Sequence, residues 1–301
     1  MEEEIIKLLE EKGPLTGHEI SNNLGADELS LWRTCKSSKS LALQTVGTRY
    51  LRLDRRVEGY ARISPSILRE FLTYSVVGFS HDPFPLSQRA ATIDAHVREV
   101  SRVKSELIYN IISSLANRFE IEIPIKDHVC FILAGDIVYN MAHDVPRPER
   151  STGKLVRGSD LDLVVIAGDQ FNKRLIKRLD EAIYKEKYRL LITPHIREEI
   201  DYVVKDLERV RKQIRFDSYR HMVACKILRE GTLLYGSEEI FHQVKRLLMA
   251  HGIVQKLSVM ENRAKTFRKM AEEVLLRKDP NGIRDGNLNL FYPTEEAEEF
   301  E

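Results

Sequence analysis

The sequence predicts a mixed α/β protein in which a mostly helical first half precedes a small sheet of buried strands. Two observations carry the fold class. From Val129 onward, short apolar runs typical of strands alternate with segments whose apolar residues have helical spacing. A long segment with helical spacing of its apolar residues precedes them. A third observation concerns chemistry. Acidic residues stand at the mouth of one predicted strand and inside another, so the sheet is where a functional site is expected.

Length and composition bound the class of protein. The chain has 301 residues, room for two or three domains. Its 43% hydrophobic and 31% charged residues are typical of globular proteins. The net charge of +1 excludes a polyelectrolyte that extends over the whole chain. The acidic start has no apolar signal core, and no apolar run approaches the roughly 18 residues that span a bilayer. We therefore expect a cytoplasmic protein with no membrane partner.

The three cysteines are also typical of a cytoplasmic protein. Cys35, Cys130 and Cys225 are odd in number, lie far apart and form no Cys-x-x-Cys pair. We expect reduced thiols.

Residues 1–64 are predicted to form one small domain. Three short helices are expected, the first ended by Gly13-Pro14 and the third capped by Asp27. The stretch Leu41 to Leu53 alternates on both sides of Gly47-Thr48 and predicts a hairpin. Three short helices followed by a hairpin resemble a winged helix-turn-helix domain.

Basic residues are concentrated in the second half of this domain. Eight of them lie between Arg33 and Arg62, against the two acids Asp54 and Glu58. The resemblance implies contact with DNA or RNA through the third helix and the wing. The candidate contacts are Arg33, Lys36, Lys39, Arg49, Arg52 and Arg55. The alternative is a solvated basic face on a structural or protein-binding domain.

Residues 65–124 are predicted to be a helical linker. A helix is expected from Ser66 to Val77, and a longer one runs from about Ser87 to Phe119 with apolar residues at three- and four-residue spacing. At about 1.5 Å per residue the longer helix makes a rod of roughly 50 Å. Its apolar stripe is expected to be core, and oligomerisation through it stays open.

Residues 125–237 are predicted to hold the sheet, with further helices at 238–278 and a flexible acidic tail at 279–301. Five glutamates among the last eight residues suggest the tail. The segments expected within the sheet domain are a strand at 129–134, a helix at 137–142, a polar loop at 143–157, a strand at 160–166, a helix at 171–187, a strand at 199–204 and helices from 206.

Asp160 and Asp162 are the first candidates for chemistry. Side chains alternate along a strand, so both should point the same way, and the apolar run Leu163 to Ile166 indicates a strand covered on both faces. Paired carboxylates repel each other, and burial of their charge is costly. Magnesium would relieve both costs. The alternative is a pair of loop-end carboxylates facing water.

The order of these features resembles the palm of the DNA polymerase β-like nucleotidyltransferase superfamily. Gly135 matches the glycine turn after the first strand, and Asp160 and Asp162 match the metal-binding pair. Asp201 in Ile-Asp-Tyr-Val-Val matches the third carboxylate. The stretch from Arg229 to Gly236 is similar to one that many small members carry after the palm.

The resemblance implies a nucleotidyltransferase that moves a nucleoside monophosphate from a nucleoside triphosphate to a hydroxyl of a nucleic acid, a protein or a small molecule. It implies two Mg²⁺ ions held by Asp160, Asp162 and Asp201, with Asp201 also able to accept the proton of the hydroxyl. The implied nucleotide-binding residues are Gly135, Asp136, Gly158, Ser159 and Lys154. Backbone N–H groups after Gly135 would receive phosphate oxygens.

Asp136 departs from the pattern, because members of the superfamily usually have Ser or Gly there. An anionic side chain near a triphosphate is unfavourable. Three interpretations stay open: Asp136 caps the following helix, turns away, or joins the metal site. The loop from Gly135 to Asp160 is also long. Its cations either replace the missing phosphate contacts or are simply solvated; they are Arg147, Arg150, Lys154 and Arg157.

Two other functions stay open at this point. One is a DNA-binding regulator whose palm only senses nucleotide, which Asp136 favours and the three retained carboxylates disfavour. The other is a toxin–antitoxin or defence module acting on a partner protein, for which the sequence has no specific feature.

Overall fold

The structure, a computed structural model, describes residues 1–120, 125–149, 152–277 and 288–293. The chain forms two compact units. The first is built from residues 1–97 together with residues from 260 onward, and the second from residues 98–259. This division falls inside two helices and does not coincide with the predicted boundaries at residues 64 and 124.

Helices dominate both units. They are α1 (Glu2–Lys12), α2 (Gly17–Leu24), α3 (Glu28–Ser37), α4 (Ile67–Tyr74), α5 (Pro83–Glu120), α6 (Ile125–His128), α7 (Lys173–Ile192), α8 (Leu207–Gln213), α9 (Tyr219–Glu230), α10 (Glu238–Ala250), α11 (Ile253–Arg277) and α12 (Leu288–Phe291). No helix in the described part of the chain has both the length and the apolarity needed to cross a bilayer.

The strands are shorter and belong to four small sheets. They are β1 (Leu15–Thr16), β2 (Leu41–Thr45), β3 (Tyr50–Leu53), β4 (Ala61–Ser64), β5 (Ser75–Phe79), β6 (Val129–Leu133), β7 (Pro146–Pro148), β8 (Leu155–Arg157), β9 (Leu161–Ala167), β10 (Ile200–Asp206) and β11 (Thr232–Gly236). Two 3-10 turns cover Glu58–Tyr60 and Gly135–Tyr139.

The first unit begins with the three predicted helices, and side chains cap two of them, of which the Asp27 cap of α3 was predicted. Thr16 and Glu19 form a reciprocal capping box at the start of α2. Asp27 accepts a hydrogen bond from the amide of Ser30 at the start of α3. Strands β1, β5 and β2 form an antiparallel sheet in that order, and Ile5 and Leu31 are fully buried in the core.

The predicted hairpin from Leu41 to Leu53 is wrong. Strand β2 pairs with β5, where Leu43 lies opposite Val77, and β3 pairs with β4. The helix predicted to reach Val77 ends at Tyr74, and β5 follows. The physical reason is the sequence of β5, because β-branched Val76 and Val77 favour a strand, and burying both against β2 removes them from water.

Part of the predicted flexible tail is instead packed into the first unit. Phe291 in α12 is 1% exposed, and its ring centroid lies 5.8 Å from that of Trp32. Arg62 donates a 2.6 Å hydrogen bond to the carbonyl oxygen of Asn289. The acidic stretch, residues 294–301, lies outside the described residues.

The second unit is built on a four-stranded sheet in the order β10, β9, β6, β11. Strands β9 and β10 are parallel and the other pairs are antiparallel. One face, with Phe131 and Val165, packs against α5 and α7. On the other face Val164 is also buried, and α8 and α10 pack against β10 and β6. The prediction that Leu163 to Ile166 is covered on both faces is therefore confirmed.

The connection between β6 and β9 differs from the predicted helix and loop. A 3-10 turn from Gly135 to Tyr139 replaces the helix predicted at 137–142 and ends at Asn140, which has a φ of 55°. Within the predicted loop, Pro146–Pro148 and Leu155–Arg157 pair as antiparallel strands. This hairpin carries the chain from the turn to the start of β9.

Candidate functional site

The parallel pairing of β9 with β10 places Asp162 directly opposite Asp201. Neighbouring residues Leu161 and Leu163 point into the core shared with α5 and α7, so by alternation both carboxylates lie on the other face. Asp162 is partly buried and Asp201 is exposed. The sheet register alone thus brings together two of the three acids predicted from the sequence.

Gly135 lies directly against the Asp162 carboxylate. The amide of Ala134 donates a 3.0 Å hydrogen bond to the main-chain oxygen of Asp162, which ties the end of β6 to β9. Gly135 follows with a φ of 70°, and a Cβ built on it would lie 1.8 Å from Oδ2 of Asp162. Both the backbone conformation and the lack of space therefore require glycine here.

The charges around Asp162 make its carboxyl hard to ionise. Burial is the main cause, followed by the negative charges of Asp201 and Asp136, and together they raise the pKa of Asp162 to about 8. The positive charge of Lys226 acts in the opposite direction. We call Asp136, Asp162 and Asp201 the acidic cluster.

Asp136 faces this cluster. Its Oδ2 accepts a 2.9 Å hydrogen bond from the hydroxyl of Ser159. The helix that Asp136 was expected to cap is replaced by the 3-10 turn, whose N-cap is Ala134. Its contribution to the Asp162 pKa places it with the other carboxylates.

Gly158 and Ser159 hold the loop before β9 in place. The amide of Ser159 donates to the carbonyl oxygen of His143, 3.0 Å away, and the hydroxyl of Ser159 accepts from the amide of His143. Gly158 has a φ of 62°, and a Cβ there would lie 2.0 Å from the same carbonyl oxygen. These two predicted nucleotide-binding residues thus position Asp136 and Asp160 through contacts within the chain.

Asp160 is held by an ion pair with Arg147. Arg147 is 8% exposed and also contacts Glu199 at 3.0 Å and the carbonyl oxygen of Gly158 at 2.8 Å. Its guanidinium, for which phosphate contact and solvation were the two open interpretations, is therefore engaged inside the protein. Arg150 lies outside the described residues.

Lys154, the remaining predicted nucleotide-binding residue, is exposed. It lines a surface groove together with Arg197 and apolar side chains, and none of the acidic cluster lines that groove. Arg157 is exposed as well. The structure therefore does not bring Lys154 together with the acidic cluster.

Three residues beside the acidic cluster were missed by the sequence reasoning. Glu230 at the end of α9 accepts hydrogen bonds at Oε2 from Lys226, 2.6 Å away, and from the hydroxyl of Tyr139, 2.8 Å away. Its buried Oε1 has no hydrogen-bond partner among the described residues. The signal available in the sequence was the four-residue spacing of Lys226 and Glu230, together with the position of Glu230 inside the stretch from Arg229 to Gly236 that resembles the superfamily.

The donor atoms fit a hard divalent cation in their chemistry. Among the residues that the structure describes, no group of three or more His, Cys, Asp or Glu side chains is arranged to hold a metal ion. Magnesium, however, usually binds one or two protein carboxylates and completes its shell with water and substrate phosphates. Asp162 and Asp201 meet that requirement, and the orphaned Oε1 of Glu230 is an acceptor that a cation or its water would satisfy.

The cysteines take no part in this chemistry. All three are free and buried. Burial raises the pKa of Cys130 to about 12 and that of Cys225 to about 11, so at neutral pH neither is the thiolate that acts as a nucleophile.

Two of the basic residues predicted to contact nucleic acid bond within the first unit. Arg49 pairs with Glu70 at 2.6 Å, and Arg33 donates a 3.3 Å hydrogen bond to the carbonyl oxygen of Leu276. The other candidates are more accessible: Lys36, Lys39 and Arg55 are exposed, and Arg52 is partly buried. Nucleic-acid contact by this unit stays a prediction.

Comparisons of the chain with models of known protein families, with curated proteins and with solved structures found no match.

Proposed function

We propose that the protein is a magnesium-dependent nucleotidyltransferase, which moves a nucleoside monophosphate from a nucleoside triphosphate to an acceptor hydroxyl. The observation that supports the proposal is the acidic cluster packed against the Gly135 turn. A carboxyl whose pKa is raised to about 8 is poorly stabilised by its own surroundings. A divalent cation would offset both the burial of the charge and the repulsion from Asp201 and Asp136.

Asp162 and Asp201 are the residues that would hold magnesium, and Asp160 would join them on leaving Arg147. The bound ions would neutralise charge on the phosphoryl group and orient it for transfer. Lys226 lies close enough to lower the pKa of Asp162. In the proposed complex its ammonium group would receive a triphosphate oxygen and offset the charge of Asp136.

In the proposed reaction no side chain of the protein forms a covalent bond with the substrate. The acceptor oxygen forms a bond to the α-phosphorus as the bond to the bridging oxygen breaks, and pyrophosphate leaves with that electron pair. Asp201 is the most exposed carboxylate of the acidic cluster. It is therefore the group that would take the proton of the acceptor hydroxyl.

The proposal is tested by label transfer. The purified protein is incubated with each α-labelled triphosphate, magnesium and a mixture of nucleic-acid, protein and small-molecule acceptors. We expect transfer by the wild type and a loss of at least about 100-fold in Asp201→Asn, since a general base alone contributes about that much. Asp127→Asn removes an exposed acid from α6 and should leave transfer unchanged.

Failure of the wild type to label any acceptor would contradict the proposal. Salt-sensitive DNA binding without transfer would favour the regulator instead.

Lys226 provides a separate expectation about the triphosphate. Replacing it by methionine should raise the KM for the triphosphate by about tenfold or more, because charge-assisted contacts to phosphate contribute about 1.5–3 kcal/mol. Steady-state kinetics over a range of triphosphate concentrations measures the effect. Lys226→Arg should restore most of the affinity. Lys212→Met, at an exposed ion pair with Glu208, is the matched control, and equal KM values in all four proteins would exclude the role of Lys226.

A further inference from the structure

Helix α7 exposes a stripe of large side chains that the core does not use. Tyr184, Tyr188 and Ile192 are 60%, 55% and 42% exposed. Four-residue spacing places them on one side of the helix at steps of about 6 Å. The opposite side enters the core of the second unit through Leu179 and Ile183, which are fully buried. The stripe therefore costs solvation free energy without contributing to packing.

A groove of about 350 Å³ continues the stripe at the C-terminal end of α7. It combines apolar walls with two cations and includes Leu155, which is 55% exposed. The lining residues are Lys154, Leu155, Leu191, Ile192, Pro194 and Arg197. Apolar surface and positive charge thus occur together here.

Cations also follow the two tyrosines along the helix. Lys185 and Arg189 come directly after Tyr184 and Tyr188. Within the described part of the chain, the side chains of Lys154, Lys185 and Arg197 make no ion pair. The nearby acid Glu186 is already paired, with Arg118 and Arg189 at 2.7 Å each. The uncompensated charge of this surface is therefore positive.

The stripe begins beside the strand that carries Asp201. Tyr202, the next residue on β10, donates its hydroxyl to the carbonyl oxygen of Asp180 in α7 at 3.2 Å. Tyr184 follows Asp180 by one helical turn. Strand β10 is also an edge of the sheet, with α7 on one face and the Asp201 carboxylate on the other, so an extended ligand lying on α7 would reach the acidic cluster by passing around this edge.

We propose that the exposed side of α7 and its groove bind a single-stranded nucleic acid, whose terminal hydroxyl is the acceptor. The proposal rests on the proposed nucleotidyltransferase function and names its acceptor class. Bases would stack on Tyr184 and Tyr188, and backbone phosphates would contact Lys185 and Arg197. Aromatic side chains alternating with cations are the usual means of holding single strands without reading their sequence.

A second copy of this chain fits the surface less well. In a two-fold symmetric dimer the same patch meets itself, which would bring the unpaired cations of Lys154, Lys185 and Arg197 against their own copies. A nucleic acid instead supplies the opposite charge.

Fluorescence anisotropy of the full-length protein with short, unstructured, fluorescein-labelled RNA and DNA strands tests the inference without any triphosphate. We expect binding that weakens with salt. The double variant Tyr184→Ala/Tyr188→Ala should lose at least about tenfold in affinity, since it removes both aromatic rings on which bases would stack. Tyr184→Phe/Tyr188→Phe should retain binding. Lys185→Gln/Arg197→Gln should reduce the salt dependence.

Two control variants test whether loss of any exposed tyrosine or lysine, rather than loss of this surface, lowers the affinity. Tyr109→Ala removes another exposed tyrosine of the second unit, and Lys269→Gln removes an exposed lysine of the first; neither should change the affinity. The inference would be overturned if the wild type bound neither RNA nor DNA, or if the alanine double variant bound the strands as tightly as the wild type. It would also be overturned if the double variant lost a dimer and kept its affinity for the strands.

The outcome for the acceptor is distinguishable from the outcome for the enzyme. Asp201→Asn should bind the strand as the wild type does and fail to extend it. Strand binding that depends on the tyrosines, with no transfer by the wild type, would support this surface and contradict the nucleotidyltransferase. Transfer to an acceptor other than nucleic acid, without strand binding, would support the nucleotidyltransferase and contradict the role of this surface.

Discussion

Replacing Asp162 by asparagine is expected to abolish nucleotide transfer and also to stabilise the metal-free protein. Transfer should fall by about 1,000-fold or more, because the variant loses a carboxylate proposed to hold magnesium beside the reacting phosphate. The stability gain has a different cause. Asparagine keeps the shape of the side chain and removes a charge that is partly buried and faces Asp201 and Asp136. Residues selected for chemistry often lower stability in this way.

The sign of the effect with pH follows from the pKa of Asp162. Its ordinary value is about 4, and in the folded protein it is raised to about 8. Between these values the folded state binds a proton that the unfolded state has released, so wild-type stability falls as pH rises from about 4 to 8. The variant lacks this contribution. In chelator at pH 8 it should be more stable by up to about 5 kcal/mol, since each pKa unit corresponds to about 1.4 kcal/mol, and should melt at a higher temperature.

Thermal melting of wild type and variant at pH 5 and pH 8, each with and without magnesium, checks this expectation. The gap between the two proteins should widen from pH 5 to pH 8 in chelator, and magnesium should narrow it by stabilising only the wild type. Asp127→Asn, which changes an exposed acid, should follow the wild type throughout. Equal melting temperatures for wild type and Asp162→Asn at pH 8 in chelator would show that the charge of Asp162 is not destabilising.

Gly135→Ala is the second substitution with a large expected effect. The new methyl group would be built 1.8 Å from Oδ2 of Asp162, at a φ of 70°. Either the carboxylate or the turn must move, and small displacements of catalytic groups cost about 100-fold in rate. We therefore expect transfer to fall by about 100-fold and the free energy of unfolding to fall by about 2–3 kcal/mol. Label transfer and denaturant unfolding measure the two effects.

Gly153→Ala separates the cost of the positive φ from the cost of the contact between the new methyl group and Asp162. Gly153 has a φ of 66°, close to that of Gly135, and a Cβ there would meet no atom within 4 Å. It should lose only about 1 kcal/mol, the cost of the backbone conformation, and keep its activity. If Gly153→Ala and Gly135→Ala behave alike, the contact between the turn and the Asp162 carboxylate is unimportant.

Local patterns predicted the elements of the second unit better than those of the first. The strand through Asp162 has a continuous apolar run, and its neighbours β6 and β10 carry similar runs, so these three strands were recognisable from their own residues, whereas β7, β8 and β11 were not predicted. The pairing of β2 with β5 was not, because Leu43 and Val77 are brought together by the intervening segment rather than by a turn. Apolar alternation shows that a strand exists and leaves its partner undetermined.

The acidic cluster shows the same limit at the level of single residues. Asp162 and Asp201 were predicted because acids within apolar strands are unusual. Lys226 and Glu230 lie on a helix, where charged residues four apart are common on solvent-facing surfaces. Only packing of α9 against the turn at 135–139 turns them toward Asp162. The Arg147–Asp160 pair was missed for a related reason, since Arg147 lies in β7 and Asp160 lies directly before β9.

The make-up of the first unit has a consequence for synthesis on the ribosome. Residues 98–259 are one continuous segment, so the second unit can fold as soon as α10 and the start of α11 have emerged. The first unit cannot, because Phe291 closes its core against Trp32, near the other end of the chain. Its N-terminal helices are therefore expected to keep apolar surface in contact with water until Phe291 has emerged from the ribosome. Such exposed surface binds chaperones and favours aggregation.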